Sequence, residues 1–244
     1  GALEESCNCY FIELGRVLGG QRILQAAQDL GFGTATALAP GLRSAEGELP
    51  APETLTDSNG GQLAMFAFGQ GALTVTPLQI AAMMNAIAGD GTWYPPQIVA
   101  GVIEQENLAL QTPFAAADPV RVCDADTARI LRSMLIDVVA EGIGRQAAPQ
   151  AGGAGGKTGT AQTGQYTEAG EELLNYWFSG FWPAENPRYT ITVLQDAVLE
   201  PEVSSAAIFA EVANNLLALE GGAELQNQPR PVMAIQTGET AENG

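Results

Sequence analysis

Histidine occurs nowhere in the 244 residues of this chain. Its absence excludes a Ser-His-Asp triad, a Cys-His dyad and an HExxH zinc site, because each of these sites needs an imidazole. A serine or threonine nucleophile would therefore need a lysine to accept its proton. Lysine itself is scarce, since Lys157 is the single lysine beside nine arginines.

Positive charge as a whole is also in short supply. Ten Lys and Arg residues stand against 28 Asp and Glu residues, which gives a formal charge of −18. The chain has no basic run that could neutralise phosphates, so we expect no nucleic acid among its partners. The same balance argues against a polybasic contact with a membrane surface.

The chain also has few cysteines and lacks long apolar runs. Cys7, Cys9 and Cys123 make no disulfide framework, and we expect them to be small buried hydrophobic residues. No apolar run approaches about 20 residues, so no segment is predicted to span a bilayer. The chain begins Gly1–Ala2–Leu3, without a methionine or a signal peptide, which predicts a piece of a longer protein.

The order of the elements that are present is helices first and strands later. Apolar residues at helical spacing predict helices over 8–18, 21–30, 77–88, 127–141 and 205–219, with Asp126 as the N-cap of the fourth. Residues 33–64 are rich in Gly, Pro, Ser and Thr and predict a long irregular segment. Two β-rich stretches, 175–183 and 188–196, are joined by a turn at Asn186–Pro187.

This order predicts an α+β fold in which helices pack on an antiparallel sheet. We expect residues 1–221 to belong to one domain, because no clear linker or internal repeat interrupts them. Residues 222–244 are polar, contain proline and carry few apolar side chains, so we expect a flexible tail there.

Lys157 lies in a glycine-rich stretch, residues 152–160, that reads GGAGGKTGT. One interpretation is a relaxed phosphate-binding loop, with Ala151 in place of the usual first glycine. Such a loop needs a buried strand before it and a helix after it, so that the helix N-terminus faces the phosphates. Residues 141–150 are not a hydrophobic strand, and residues 161–170 contain two glycines where the helix should run. A P-loop nucleotide-binding protein is therefore only a distant alternative.

The other interpretation of this stretch is a strand at the edge of a sheet. Thr158, Thr160 and Thr163 are compatible with extended structure, and glycines let a substrate backbone approach closely. One ammonium, two hydroxyls and free backbone N–H groups would then lie on one side, a set that suits a carboxylate-bearing peptide. The Lys157–Thr158–Gly159 pattern is one of three elements found in β-lactamases and penicillin-binding proteins.

A second element of that family is present near the start of the chain. Ser6–Cys7–Asn8 matches S-x-N and lies directly before a predicted helix, although a role as helix N-cap is the alternative for Ser6 or Asn8. Other stretches also look like this family, namely 68–99, 125–144 and 177–195. Over residues 6–219 the chain resembles the transpeptidase domain of high-molecular-weight penicillin-binding proteins, which has a β-lactamase/transpeptidase-like fold.

The resemblance implies a penicillin-binding D-Ala-D-Ala transpeptidase that cross-links peptidoglycan through a serine acyl-enzyme. Its expected partners are peptidoglycan stem peptides and β-lactams, and no metal or cofactor is implied. The parent protein is expected to be membrane-anchored at the extracytoplasmic face of the bacterial cell membrane.

The family roles carry over to matching positions of this sequence. Ser6 would relay a proton to the leaving group, Asn8 would bind the substrate amide, and Lys157 would supply positive potential. The substrate-binding residues would be Thr158, Gly159 and Thr160. The two threonine hydroxyls would bind the terminal carboxylate, and the N–H of Thr160 would form half of an oxyanion hole.

The third family element, S-x-x-K, is missing, because the residue three positions before Lys157 is Ala154. In the family this element precedes S-x-N by several dozen residues, whereas Ser6 lies close to the start of this chain. We therefore expect a fragment that lacks the N-terminal part of the fold, with the nucleophilic serine and its lysine, and that is inactive alone. A non-catalytic penicillin-recognition sensor or scaffold is the alternative.

Two further expectations concern structure. The stretch Gly69–Gln70–Gly71 is expected to be a structural turn before the helix over 77–88, and a catalytic loop is the alternative. The loss of strands beside residues 188–195 would leave a sheet edge unpaired, which predicts self-association through that edge.

Overall fold

The computed structural model describes residues 1–56, 60–104 and 110–220, and it confirms the predicted α+β class. The predicted flexible tail, 222–244, lies outside the described residues. Within the described part of the chain, no helix is long and apolar enough to cross a membrane.

Six α-helices occur in the described residues, and five of them lie close to where the sequence predicts them. They are α1 (Asn8–Leu18), α2 (Gly20–Asp29), α3 (Gly61–Ala67), α4 (Pro77–Ala88), α5 (Ala125–Ala140) and α6 (Ser205–Leu219). The unpredicted helix is α3, which begins inside the stretch expected to be irregular. That stretch also contains a 3-10 helix, Pro52–Thr56, and a short hairpin of β1 (Ala37–Ala39) and β2 (Leu42–Arg43).

The helices α4 and α5 begin at residues that cap them through their side chains. Thr76 Oγ1 accepts a hydrogen bond from Gln79 N at 3.1 Å, and the Gln79 side chain accepts one from Thr76 N at 2.9 Å, which makes a capping box for α4. The N-cap of α5 is Asp124, whose carboxylate accepts from Thr127 N at 2.6 Å. The prediction that Asp126 caps α5 is wrong, because Asp126 already lies in the first helical turn.

The strands form small pairs and one larger sheet. Besides the β1–β2 hairpin, the pairs are β3 (Thr92–Trp93) with β6 (Val120–Arg121), and β4 (Gly101–Ile103) with β5 (Leu110–Pro113). The larger sheet has the antiparallel order β7–β8–β9, made of β7 (Gly155–Tyr166), β8 (Glu172–Trp182) and β9 (Tyr189–Val198). In this sheet β7 and β9 are the edges, and self-association through β9 stays a prediction.

Helices cover both faces of the larger sheet. On one face, Phe178 and Trp182 pack in one cluster with Phe209 of α6, and all three are at most 1% exposed. On the other face, Phe181 packs with Leu135 of α5. Successive side chains of β8 alternate between these two clusters, as a strand requires. The sheet is thus fixed from both sides, and α5 packs directly on β7.

The glycines at the start of β7 are required by this packing. A β-carbon on Gly156 would lie 2.6 Å from Cζ of Phe178 and 2.7 Å from the carbonyl oxygen of Ser179. Phe178 is fully buried, so its ring has little room to move aside. We therefore expect Gly156→Ala to lower the free energy of unfolding by about 1–3 kcal/mol, the usual range for an overpacked core. Chemical denaturation measures this loss.

Gly159→Ala is the matched control in the same strand. A β-carbon on Gly159 would meet Trp177 at 3.4 Å, which is an ordinary contact distance. We expect this variant to change the free energy of unfolding by less than about 1 kcal/mol. Equal losses in the two variants would show that the strand, and not the phenylalanine ring, dictates the glycine at position 156.

The three cysteines are not the buried residues that the sequence predicts. Cys7 and Cys9 are exposed, Cys123 is half-buried, and all three are free thiols. Cys7 is the N-cap of α1 and Cys9 lies in its first turn, and the buried residue of that helix is Gly15. The first turn of α1 therefore faces solvent, which explains the error.

Candidate functional site

Ser6 has an unusual backbone conformation in the turn before α1. Its φ is +52°, in the left-handed region that non-glycine residues seldom occupy. Two hydrogen bonds stabilise the turn, since Ser6 N donates to Leu3 O at 3.2 Å and Cys7 N donates to Ala2 O at 2.9 Å. Conformations of this kind concentrate at functional sites, where the surrounding structure maintains them.

The loop after α5 holds this turn in place. Ile143 N donates to Glu4 O at 3.2 Å. Gly142 approaches so closely that a β-carbon there would lie 2.7 Å from the same oxygen, which leaves no room for a side chain. Because α5 packs on β7, this contact also fixes the position of Ser6 relative to the sheet.

Lys157 reaches from β7 to the turn that carries Ser6. Its Nζ donates to Ser6 Oγ at 2.9 Å, and the two residues are 151 positions apart in the sequence. The same ammonium donates to the backbone oxygen of Thr158 at 3.0 Å and to Thr158 Oγ1 at 3.2 Å. The three hydrogens of the ammonium thus have three oxygen partners. Ser6 of the S-x-N motif and Thr158 of the K-T-G motif are therefore bonded to the same atom, Lys157 Nζ.

The surroundings of Lys157 favour an anion. The residue is half-buried, and burial lowers the pKa of its amine below the ordinary lysine value. None of the ion pairs between described side chains includes Lys157. Its hydrogen-bond partners are neutral oxygens, and electrostatic attraction is stronger in a partly desolvated site than in water. A chain with a net charge of −18 therefore keeps one local positive centre.

Thr160, the last residue of the motif that begins at Lys157, contacts the loop that contains Gln70. Thr160 is exposed on β7, and its backbone oxygen accepts a hydrogen bond from Gln70 Nε2 at 3.0 Å. Gly69 and Gly71 on either side of Gln70 have φ values of +84° and +79°, so this stretch forms a turn, as predicted. The sequence prediction left a catalytic loop as the alternative for this stretch. The hydrogen bond from Gln70 to Thr160 places the turn beside the candidate site.

The predicted site residues do not all meet. Ser6, Lys157 and Thr158 form one hydrogen-bond network, whereas Asn8 is exposed at the first residue of α1 and takes no part in it. The alternative role as N-cap is not observed for Ser6 or Asn8. Cys7 is the N-cap, and no side chain caps α1.

The structure also decides between the two interpretations of the glycine-rich stretch. Lys157 is the third residue of β7 and lies inside an unbroken strand, Gly155–Tyr166. The next helix after it begins at Ser205. A phosphate loop would need that helix directly after the lysine, so the phosphate-loop interpretation is wrong.

Comparisons with known sequences agree with this geometry. A family model described as the penicillin binding protein transpeptidase domain matches residues 1–218. The chain is 33% identical over 253 residues to penicillin-binding protein PbpB of Mycolicibacterium smegmatis, with 97% of this chain and 37% of that protein covered. It is 32% identical over 222 residues to stage V sporulation protein D of Bacillus subtilis, with 88% and 32% covered. The chain thus spans about a third of the length of these relatives.

Solved structures of similar proteins share the fold. Penicillin binding protein 3 from Mycobacterium tuberculosis, complexed with aztreonam, has a TM-score of 0.75 at 30% identity, with 90% of this chain and 50% of that chain covered. The D,D-transpeptidase domain of a peptidoglycan glycosyltransferase from Eggerthella lenta has a TM-score of 0.76 at 27% identity, with 90% and 53% covered. The fold of this chain therefore corresponds to about half of each of those chains.

Proposed function

The chain belongs to the family of penicillin-binding protein transpeptidase domains, and we propose that it forms the substrate-holding part of a peptidoglycan D,D-transpeptidase. The substrates are stem peptides that end in D-Ala-D-Ala, and β-lactams occupy the same site. The whole enzyme is anchored in the bacterial cell membrane and acts at its extracytoplasmic face.

The reaction is an acyl transfer in two steps. A serine hydroxyl attacks the carbonyl of the penultimate D-Ala, the peptide bond to the last D-Ala breaks, and an ester to the serine forms. The leaving amine takes up a proton and departs as D-Ala. The amine of a second stem peptide then attacks the ester, forms the cross-link, and returns the serine to its hydroxyl form.

The hydrogen bond between Lys157 Nζ and Ser6 Oγ is the observation that carries this proposal. A hydroxyl that is bonded to an ammonium can pass a proton to the leaving amine and regain it from the ammonium. The same positive charge, together with Thr158 Oγ1, attracts the terminal carboxylate of the peptide. The N–H of Thr160 polarises the attacked carbonyl, and the exposed amide of Asn8 binds the peptide backbone.

The nucleophile comes from residues that these 244 do not include. Lys157 has Ala154, and not a serine, three positions before it, so the chain contains no Ser-x-x-Lys. The proposed reaction therefore requires a nucleophile and a second oxyanion-hole N–H from a Ser-x-x-Lys outside these residues. The missing nucleophile equally favours a second candidate, a penicillin-recognition sensor or scaffold that binds the same ligands without turnover.

Labelling with a fluorescent penicillin tests the proposal. We compare the 244-residue chain with a version extended at its N-terminus by the residues encoded before it. We expect a covalent adduct, stable on a denaturing gel, only in the extended chain, because acylation needs the serine. An excess of unlabelled penicillin should abolish the signal, which separates acylation of the site from adsorption.

The other outcomes of this experiment are equally informative. A covalent adduct on the 244-residue chain alone would contradict our assignment of the nucleophile. An extended chain that binds penicillin reversibly but gives no adduct would favour the sensor. An extended chain that neither binds nor reacts would overturn the proposed function.

A further inference from the structure

The edge of β7 that faces away from β8 carries two carbonyls that side chains already occupy. Thr158 O accepts from Lys157 Nζ and Thr160 O accepts from Gln70 Nε2, each at 3.0 Å. Alternate residues of an antiparallel strand direct both their N–H and their C=O to the same side. The N–H of Thr160 therefore points to the same free edge as its carbonyl.

A peptide that binds along this edge would extend the sheet by one strand. In a hydrogen-bonded antiparallel pair, the two opposite residues exchange both N–H···O bonds. The peptide residue whose carbonyl accepts from the N–H of Thr160 would thus donate its own N–H to Thr160 O. That oxygen is the acceptor to which Gln70 now donates.

We propose that Gln70 competes with the acyl peptide for Thr160 O, where its carboxamide stands in for the N–H of the peptide. This inference rests on the proposed function, because it takes the bound ligand to be an acyl peptide. Entry of the peptide requires the Gln70 side chain to rotate away from the carbonyl. A ligand that supplies the N–H replaces the lost hydrogen bond, and a ligand that cannot supply it leaves the carbonyl unpaired. Thr160 O thereby discriminates in favour of ligands with an amide N–H at this position, whereas Gln70 adds the same cost to the binding of every ligand that displaces it.

The loop around Gln70 suits this role, because its backbone is fixed and only the side chain needs to move. Gly69 N donates to Phe66 O at 3.1 Å, and Gln70 N donates to Met65 O at 2.9 Å. With the left-handed Gly69, these two bonds make a Schellman cap at the end of α3. The side chain of Gln70 is half-buried and leads from this fixed point to the edge of β7.

Two measurements on the 244-residue chain test the proposal. The first compares the carbonyl ¹³C chemical shift of Thr160, without ligand, between the wild type and Gln70→Met, which keeps the length and removes the amide. We expect a clear shift, because the carbonyl loses its donor, and none for Gln62→Met, an exposed control on α3. An unchanged Thr160 signal in Gln70→Met would mean that the contact is not made in solution, and would overturn the proposal.

The second measurement is an NMR titration with two ligands. These are N-acetyl-D-Ala-D-Ala and the analogue whose first residue carries an N-methyl group in place of the amide hydrogen. We expect Gln70→Met to bind the first ligand about three- to tenfold more tightly than the wild type does, the equivalent of one neutral hydrogen bond that no longer competes. We expect the same gain for the N-methyl analogue, because the wild type gives up the Gln70 hydrogen bond for either ligand. In both proteins this analogue should bind less tightly than the first ligand, because it cannot donate to Thr160 O.

Each remaining outcome of the titration argues against the proposal in a different way. If both ligands bind less tightly to Gln70→Met, then Gln70 supports the strand and does not compete with the peptide. If neither ligand gains, Gln70 does not compete for the carbonyl. If the N-methyl analogue binds as tightly as the first ligand, no ligand N–H reaches Thr160 O. If neither ligand perturbs Thr160 in any variant, although the ligand-free shift responds to Gln70→Met, then the proposed function itself has failed.

Discussion

Lys157→Met is expected to slow the acylation of the N-terminally extended chain by about 10²–10³-fold, the usual loss when one group that stabilises the developing charge is removed. Methionine retains an unbranched side chain of similar length and removes the ammonium. Ser6 then loses its hydrogen-bond donor at 2.9 Å, and Thr158 loses the same partner on its backbone oxygen and its hydroxyl. The second-order rate constant of fluorescent-penicillin labelling measures the effect.

Lys157→Arg is the matched control for charge. It keeps a positive side chain, but a planar guanidinium cannot direct its hydrogens to Ser6 Oγ and to both oxygens of Thr158 as the ammonium does. We expect a rate between those of the wild type and Lys157→Met. Equal rates in Lys157→Met and the wild type would contradict the role of Lys157, and equal loss in both variants would show that geometry matters more than charge.

The lowered pKa of Lys157 also makes the stability of the chain depend on pH. Burial lowers the pKa of the Lys157 amine, so the folded state binds this proton less tightly than the unfolded state does. Between the folded-state pKa and the ordinary value of 10.5, the unfolded state holds more protons, and the free energy of unfolding rises with pH. The cost of burying this charge is therefore fully present below the folded-state pKa and disappears as the pH rises through that window.

The lowered pKa of Lys157 predicts the pH dependence of two measurable quantities, the stability of the chain and the rate of labelling. The free energy of unfolding of Lys157→Met minus that of the wild type should fall as the pH rises toward 10.5, because only the wild type gains stability in this window. Labelling of the extended wild-type chain should fall at a lower alkaline pH than an ordinary lysine would predict, because the charged form is lost earlier. A stability difference that grows with pH would contradict the effect of burial on the pKa.

The chemistry of the site could be predicted from the sequence because it depends on rare residues. In a chain without histidine and with a single lysine, a serine has few possible proton-transfer partners. The strand around Lys157 could be predicted because its flanks suit no phosphate loop. The structure then adds what one-dimensional spacing cannot give, namely that Ser6 lies 2.9 Å from the lysine, and not at the cap of α1.

Other features could not be predicted because they depend on tertiary packing. The glycine at position 156 suggested room for a substrate backbone, whereas the space that a β-carbon would need there is taken by the buried ring of Phe178. Asp124 and Asp126 are equally good caps by residue type, and only the structure shows that Asp124 is the residue whose carboxylate accepts from Thr127 N. Gln70 is 90 positions from Thr160, and a contact at that distance leaves no periodic signal.

Arg188→Met is expected to lower the free energy of unfolding by about 2–4 kcal/mol, somewhat below the loss of about 3–5 kcal/mol for breaking a fully buried ion pair. Arg188 Nη1 lies 2.5 Å from Glu220 Oε2, and the two side chains are only 12% and 21% exposed. The pair joins the residue before β9 to the C-cap of α6, where the helix dipole also favours a cation. The substitution leaves the carboxylate of Glu220 poorly solvated and without its counter-charge.

The combination of Arg188→Met with Glu220→Leu should recover most of this stability. In the described part of the chain, Arg188 Nε is buried without a hydrogen-bond partner, so the native pair already carries a cost of desolvation that apolar side chains avoid. Arg129→Met is the control, because its pair with Asp126 is 3.4 Å long, with side chains 63% and 87% exposed, and should contribute less than about 0.5 kcal/mol. Urea denaturation measures the free energy of unfolding of each variant. If Arg188→Met loses no more stability than Arg129→Met, the Arg188–Glu220 pair does not hold α6 to the sheet.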